Sequence, residues 1–298
     1  AGIQIIGFMD ILRGGEEMRH FSAGKLLKYL FLILLSIVFI IPFIYMISIT
    51  LASDYTANTA SFTIFPHEFR FDNFVRIFKD GQVPVWVKNS LILTFFNTLF
   101  TLVSSSLVAY GFARFRAKGK NILFMLMLST MMIPTQVTLI PQFVFFRKIG
   151  WMNTMLPLII PAVFGSPFYI FLLRQFIMRI PASLDEAAMI DGLSYFGIYR
   201  KIILPLIKPA LSAVAIFSIM GNWNWFFEPM IYLNDPAKYP LAIGVQVLSK
   251  TGHTGQLPLW NLMMSASMIL VLPMILIYFF GQKYMFELSI DSGSSASK

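Results

Sequence analysis

The chain has no cysteine, which removes any disulfide framework and any thiolate metal site. Charge is nearly as scarce: 12% of residues are Asp, Glu, Lys or Arg, where a soluble domain carries about a quarter. No Gly-x-x-x-x-Gly-Lys-Ser/Thr phosphate loop is present, because Gly24-Lys25 and Gly119-Lys120 lack both the leading glycine and the hydroxyl. A His-Glu-x-x-His metal pair and a Gly-x-Ser-x-Gly elbow are missing too. The three histidines, His20, His67 and His253, fall outside the apolar stretches and read as solvated surface residues. Nothing repeats internally in a way that would double the architecture. These absences argue against a nucleotide-hydrolysing, metallo- or serine-hydrolase chemistry carried by this chain.

What is present is apolar. The chain is 57% hydrophobic, with mean hydropathy +0.73. Six stretches contain no Asp, Glu, Lys, Arg or His: Tyr29–Ser53, Asn89–Ala113, Asn121–Phe146, Ile149–Leu173, Pro209–Phe227 and Thr254–Gln282. Each supplies about the 20 residues that cross a bilayer core. The expected fold is therefore an all-α membrane protein with six transmembrane helices over residues 29–282, preceded by a cytoplasmic segment 1–28 and followed by a cytoplasmic tail 283–298. Residues 1–28 read either as a short interfacial helix or as a tail. The first apolar stretch is too long for a signal h-region and reads as a retained span, kinked at Pro42.

The net charge of +9 follows membrane topology rather than a nucleic-acid surface. With both termini inside, the outer side keeps Arg70, Arg76, Lys79, Lys88, Arg147, Lys148, Lys238 and Lys250, and all other Lys and Arg residues fall on the cytoplasmic side. The short loop Arg114–Lys120, with four cations and no acid, sets the orientation most clearly. Between 54 and 88, Phe65-Pro66, Phe69, Phe71, Phe74, Ile77 and Phe78 point to an amphipathic element at the outer interface. In the second stretch Thr98, Thr101, Ser104, Ser105, Ser106, Ala109 and Gly111 supply small residues for close helix packing.

One long polar interruption separates the fourth and fifth stretches. Pro181 stops the incoming helix, Ser183 and Glu186 read as a capping box, and Gly192 ends the short helix. Ser194 can cap a second helix running through Arg200 and Lys201, before Pro205 and Pro209 open the next span. A helix–turn–helix over residues 181–205 is expected on the cytoplasmic side.

At these residues the chain resembles the membrane subunits of bacterial ABC importers. Glu186-Ala187-Ala188, Gly192 after three intervening residues, and Ile202-x-Leu204-Pro205 after nine more match that family's EAA loop. Ala109–Arg116, Met132–Val137, Trp223-Asn224, Asn234-Asp235-Pro236 and Tyr239–Gly244 resemble its carbohydrate-importing, maltose-type branch. The resemblance implies a coupling helix that docks on a separate ATPase through Glu186, Ala187, Ala188, Met189, Asp191, Gly192, Leu204 and Pro205. It also implies two copies of that ATPase binding ATP and Mg, a homologous second permease subunit, an extracytoplasmic solute-binding protein and a carbohydrate solute. No cofactor is expected on this chain, and no nucleic acid partner. The Ser-rich end Ser289–Lys298 departs from the Gly-rich end common in that branch.

For a solute path the candidates are Gln136 and Gln142, beside Pro134 and Pro141, and Asn222, Trp223, Asn224 and Glu228 in the fifth span. Amides bond hydroxyls and indole faces cover sugar rings. The same amides can instead bridge helices, with the tryptophans as an interfacial belt. Asn222 and Asn224, two apart, cannot share a helix face. Two other functions remain in view. An ion-coupled carrier normally holds ionisable groups at membrane depth, where only Glu228 at the edge of a span qualifies. An intramembrane enzyme needs a catalytic set there, and none is visible. A non-carbohydrate solute is the remaining alternative within the importer class.

Overall fold

The computed structural model describes residues 23–59, 69–79, 82–250 and 260–293. Phe65-Pro66, the three histidines and the segments 1–22 and 294–298 lie outside the described residues. Among the described residues every regular element is helical. Helix α1 (Ala23–Thr50) takes the first apolar stretch and runs through Pro42. Two short helices follow, α2 (Asp54–Asn58) and α3 (Asp72–Lys79). Helix α4 (Val83–Arg114) is 32 residues long. Then come α5 (Lys120–Ser129), α6 (Thr135–Lys148), α7 (Leu156–Ile159) and α8 (Pro167–Arg179). Four stretches, Gly24–Thr50, Val83–Arg114, Leu156–Arg179 and Trp260–Gln282, are long and apolar enough to cross a membrane by themselves. Two bent pairs raise that to as many as six.

The bends have local causes. The third apolar stretch is not one straight rod: Lys120–Met132 meets Thr135–Lys148 at 97°. Pro134 has no N–H to give the helix ladder and pushes the residue before it out of helical geometry. Ile133 accordingly sits at φ −82°, ψ 117°. In the fifth region Tyr195–Leu206 meets helix Lys208–Trp223 at 77°. That second helix has 16 residues, fewer than the expected Pro209–Phe227, because Asn224 leaves the helix at φ −90°, ψ 8°. At the far end the helix that begins at Trp260 continues to Gly293, so the stretch expected as a tail from Lys283 starts as helix.

Helix α4 is the hub. It packs against α8 and against α12 (Lys208–Trp223), with α13 (Phe227–Tyr232) following the latter. Helix α14 (Leu241–Lys250) packs on α4 and on α15 (Trp260–Gly293), which also packs on α12. Lipid gives no hydrophobic gain for pairing helices, so close backbone approach and buried hydrogen bonds hold them. The small residues of α4 serve this. Ser105 Oγ accepts from the Ser166 N–H at 3.1 Å, Ser106 Oγ and Tyr199 Oη lie 2.7 Å apart, and Ser218 Oγ donates to Thr98 Oγ1 at 3.2 Å. A Cβ added at Gly281 of α15 would stand 2.7 Å from Ile216 Cδ1 of α12. Helix α1 packs on α15 and leaves Leu27, Phe31, Leu34 and Phe39 exposed. Apolar surface of that extent in a row is a face for lipid rather than water.

Candidate functional site

The polar interruption folds into α9 (Ser183–Ile190), a turn at Gly192, and α10 (Tyr195–Ile198), continued by one π-helical turn at Tyr199–Ile203 and α11 (Leu204–Leu206). The capping box expected of Ser183 and Glu186 does not form. The helix opens earlier, with Ala182 in helical geometry and the Ser183 side chain capping nothing. Leu184 N–H reaches the Pro181 carbonyl at 3.3 Å, and Asp185 and Glu186 N–H both reach that of Ala182, at 3.0 and 3.1 Å. Proline is pre-set for a first turn and loses no bond there, so Pro181 starts the helix that the serine was expected to start.

The other end behaves as expected. Gly192 has φ +81°. Its N–H bonds the Met189 carbonyl at 3.0 Å, while Leu193 N–H bonds that of Ala188 at 2.9 Å. This is the Schellman pair of bonds, which favours glycine at the left-handed position. Among the described residues, its two chain neighbours aside, a Cβ added there meets nothing within 4 Å. Ser194 Oγ then accepts from Gly197 N–H at 3.2 Å and caps α10. Further on, Pro205 offers no N–H to the Lys201 carbonyl. The ladder widens by one residue, and Leu204 N–H bonds Tyr199 instead.

Glu186, Ala187, Met189, Asp191 and Gly192 are exposed together on the free side of α9. Ala188 is not among them: it is buried and packs inward with Ile198 and Tyr199. Its small size therefore lets α9 approach this chain's own core. Leu204 is half-buried against the same cluster, and Pro205 is exposed. Beside α9 opens a cavity of about 570 Å³, lined by Tyr110, Arg114, Arg116, Asp185, Glu186, Met189 and Tyr195 among others.

One pair in it escaped sequence reasoning. Arg114, at the last turn of α4, sets Nε 2.8 Å from Asp185 Oδ2 in the first turn of α9, with side chains only 12% and 9% exposed. Its Nη2 donates to the Ile180 carbonyl at 2.9 Å. Burial pushes the Asp185 carboxyl above the usual carboxylate range, Arg114 pulls it back, and neighbouring Glu186 adds to the rise. Arg114 reads in sequence as a topological charge and as part of the Ala109–Arg116 stretch, with no sign of its partner. Asp185 beside Glu186 was the available signal.

The path candidates separate. Gln142 and Glu228 line one cavity of about 210 Å³, with Thr135, Thr138, Trp225 and Tyr232. Tyr232 donates its hydroxyl proton to Gln142 Oε1 at 3.2 Å, and Trp225 Nε1 donates to Glu228 Oε2. Gln136 is exposed and stands outside that lining. Asn222 is half-buried and donates to the Ser218 carbonyl at 2.7 Å, while exposed Asn224 donates to that of Met220 at 2.9 Å. Trp223 departs from the expectation: it is 5% exposed, and its Nε1 donates to the Leu270 carbonyl at 2.8 Å. It ties α12 to α15 and offers no face to a solute. Tyr232 was missed, although it follows Glu228 by four residues and so shares its face. Among the described residues no group of three or more His, Cys, Asp or Glu could hold a metal ion.

A family model described as "Binding-protein-dependent transport system inner membrane component" matches residues 101–286, from the middle of α4 to the end of the last span. The chain belongs to this family. Curated proteins resemble it over nearly their whole length. It is 33% identical over 274 residues to the arabinooligosaccharides transport system permease protein AraQ of Bacillus subtilis (strain 168), covering 90% of this chain and 95% of that one. It is 32% identical over 271 residues to the trehalose/maltose transport system permease protein MalG of Thermococcus litoralis, with 90% and 95% covered. A bacterial ABC transporter involved in the import of the acidic polysaccharide alginate shares its fold, with TM-score 0.79 at 22% identity, over 90% of this chain and 99% of the other.

Proposed function

We propose that the chain is the membrane-spanning permease subunit of an ATP-driven importer that carries a sugar or oligosaccharide across the cytoplasmic membrane. Family membership supports the importer class. The carbohydrate reading is supported by relatives named for arabinooligosaccharides, trehalose/maltose and diacetylchitobiose. The observation that carries the role of this chain is α9 itself. It is a short helix held outside the apolar body, with Glu186, Ala187, Met189 and Asp191 exposed along it and Gly192 closing it. Such a surface fits the coupling helix that docks on an ATPase.

In this reading the two bent pairs each make one span, giving six, with both termini and α9 cytoplasmic. The Lys and Arg excess around Arg114–Lys120 and Arg174–Lys208 supports that orientation. ATP and Mg bind two copies of the partner ATPase, whose closure pushes α9. A homologous second permease completes the path, and an extracytoplasmic binding protein delivers the solute. The cavity at Gln142, Glu228, Trp225 and Tyr232 presents an amide, a carboxylate, a hydroxyl and an indole, the groups that hold sugar hydroxyls and ring faces. At about 210 Å³ it is below the roughly 300–1,000 Å³ of a site that encloses a ligand. The companion subunit therefore supplies the facing wall. Gln136, Asn222 and Asn224, outside that lining, remain candidates for the same route.

The test is uptake by proteoliposomes holding this chain with its companion, ATPase and binding protein. Labelled arabinotriose, maltotriose, trehalose and diacetylchitobiose form the panel, with methionine and phosphate as controls. Uptake of at least one saccharide and of neither control supports the reading. Uptake of a control alone refutes the carbohydrate assignment.

A further inference from the structure

Force applied to α9 has two covalent routes into the body of the protein, and both begin with a soft joint. Upstream, Ile180 is extended at φ −74°, ψ 127° between α8 and Pro181. Downstream, Gly192 is left-handed and Ser194 is extended at φ −69°, ψ 162°. Neither joint carries a helical ladder, so a displacement of α9 can be absorbed there as a change of backbone angle. Beyond the second joint lies another yielding place, the 77° bend between Tyr195–Leu206 and α12.

The contact with α4 is of another kind. Arg114 is the last residue of a 32-residue helix. Its guanidinium joins three segments at once, reaching Asp185 in α9 at 2.8 Å and the Ile180 carbonyl at the upstream joint at 2.9 Å. Arginine suits this because one delocalised guanidinium can donate a hydrogen bond to the Ile180 carbonyl from Nη2 while its charge stays paired with the Asp185 carboxylate. The two side chains are mostly buried although they border the cavity beside α9, so counterions screen them less than an exposed pair. Below it the body is stiff: Tyr110, one helical turn earlier, donates its hydroxyl to the Tyr195 carbonyl at 3.2 Å, and Ser106 bonds Tyr199 at 2.7 Å. Asp185 also has a fixed seat, because Ala188, three residues on, is buried in the core.

We infer that Arg114 and Asp185 form a strut that makes α9 and the cytoplasmic end of α4 move as one body, so that a push on α9 reaches the hub helix instead of being lost at its flanking joints. The inference rests on the coupling role proposed for α9, and it makes Arg114 a positioning residue for transport rather than a docking residue. Helix α4 then leads the conformational change, because α8 and α12 both pack on it.

The test uses the assembled complex of this chain, its companion and the ATPase. The chain has no cysteine of its own, so Leu107→Cys on α4 and Leu184→Cys on α9, both exposed, can carry a pair of spin labels. With the native strut the interlabel distance is one narrow distribution, the same without nucleotide and with ATP plus vanadate. Arg114→Gln or Asp185→Asn at least doubles its width, or makes it change with nucleotide, while ATP hydrolysis stays within about twofold. The exchange Arg114→Asp with Asp185→Arg restores the narrow distribution, and Arg114→Lys, which keeps the charge but loses the fork, gives an intermediate width. Single variants with an unaltered distribution overturn the inference. So does an exchange that restores nothing, or single variants that lose the ATPase on purification, since the pair would then serve folding or docking. A native chain that captures no ATPase refutes the importer reading instead. The distances measured on the chain itself would still show whether Arg114 ties α9 to α4.

Discussion

Replacing Gly192 separates a mere helix stop from a docking surface, because two substitutions must then rank in opposite orders. The residue has φ +81°, where an L side chain costs roughly 1–2 kcal/mol and where Asp is better tolerated than Ala. Among the described residues no atom beyond its two chain neighbours lies within 4 Å of an added Cβ, so backbone strain is the main intramolecular cost. On strain alone Gly192→Ala is the more damaging change, and Gly192→Asp costs about 1 kcal/mol, roughly a fivefold shift in folded population. If α9 docks on another protein, the space beside Gly192 is filled in the complex, and a carboxylate placed there meets that surface. Gly192→Asp then becomes the worse change for transport while remaining the milder one for stability. The assay pairs thermal unfolding of the purified chain in detergent with ATPase retention and uptake in the complex. An uptake order in which Gly192→Ala is as impaired as Gly192→Asp, or more so, refutes the docking argument.

Three further outcomes follow from the packing and the site. Gly244→Ala drives a Cβ into the ring of buried Trp86 at Cε3, so overpacking should destabilise the chain by about 1–3 kcal/mol, read as a lowered unfolding temperature with altered tryptophan emission. Trp223→Phe removes the bond to Leu270 and should cost about 1 kcal/mol without changing solute preference, whereas Gln142→Ala and Glu228→Gln should change uptake or preference while assembly persists; the three are compared by uptake competition. The hydrogen bond from Arg76 holds the Asp54 carboxyl below its ordinary value of 3.8. A carboxyl depressed in the folded state contributes stability that is present above the unfolded value and lost as pH falls through the folded one. The hydrogen-exchange protection factors of α2 and α3 should therefore fall below about pH 4 in the native chain, and Arg76→Gln should show the lowered protection already at pH 7.

The apolar body was legible because hydropathy and length are one-dimensional properties, and lipid forces each long apolar stretch to close its own backbone bonds. Gly192 and Ser194 were legible for a related reason: their bonding partners lie within five residues. Ser183 was misread because Pro181, two residues earlier, already sets the first turn. The 97° break at Ile133–Pro134 was visible as a proline, yet its angle depends on how α5 and α6 pack. What sequence reading could not reach were pairs joined across the chain. Arg114 and Asp185 are 71 residues apart, and each has an ordinary local reading as a topological charge and an N-terminal helix acid. Trp223 looked like a sugar platform, but its ring is committed to the carbonyl of Leu270, 47 residues away.

The most direct test of the importer account is uptake of a labelled oligosaccharide by proteoliposomes containing the full complex, with ATP inside, binding protein outside, and ionophores that abolish proton and sodium gradients. The account predicts uptake that needs ATP, the ATPase subunit and the binding protein together and is unaffected by the ionophores. Uptake that persists without the ATPase and collapses with the ion gradients would contradict it and make the chain an ion-coupled carrier.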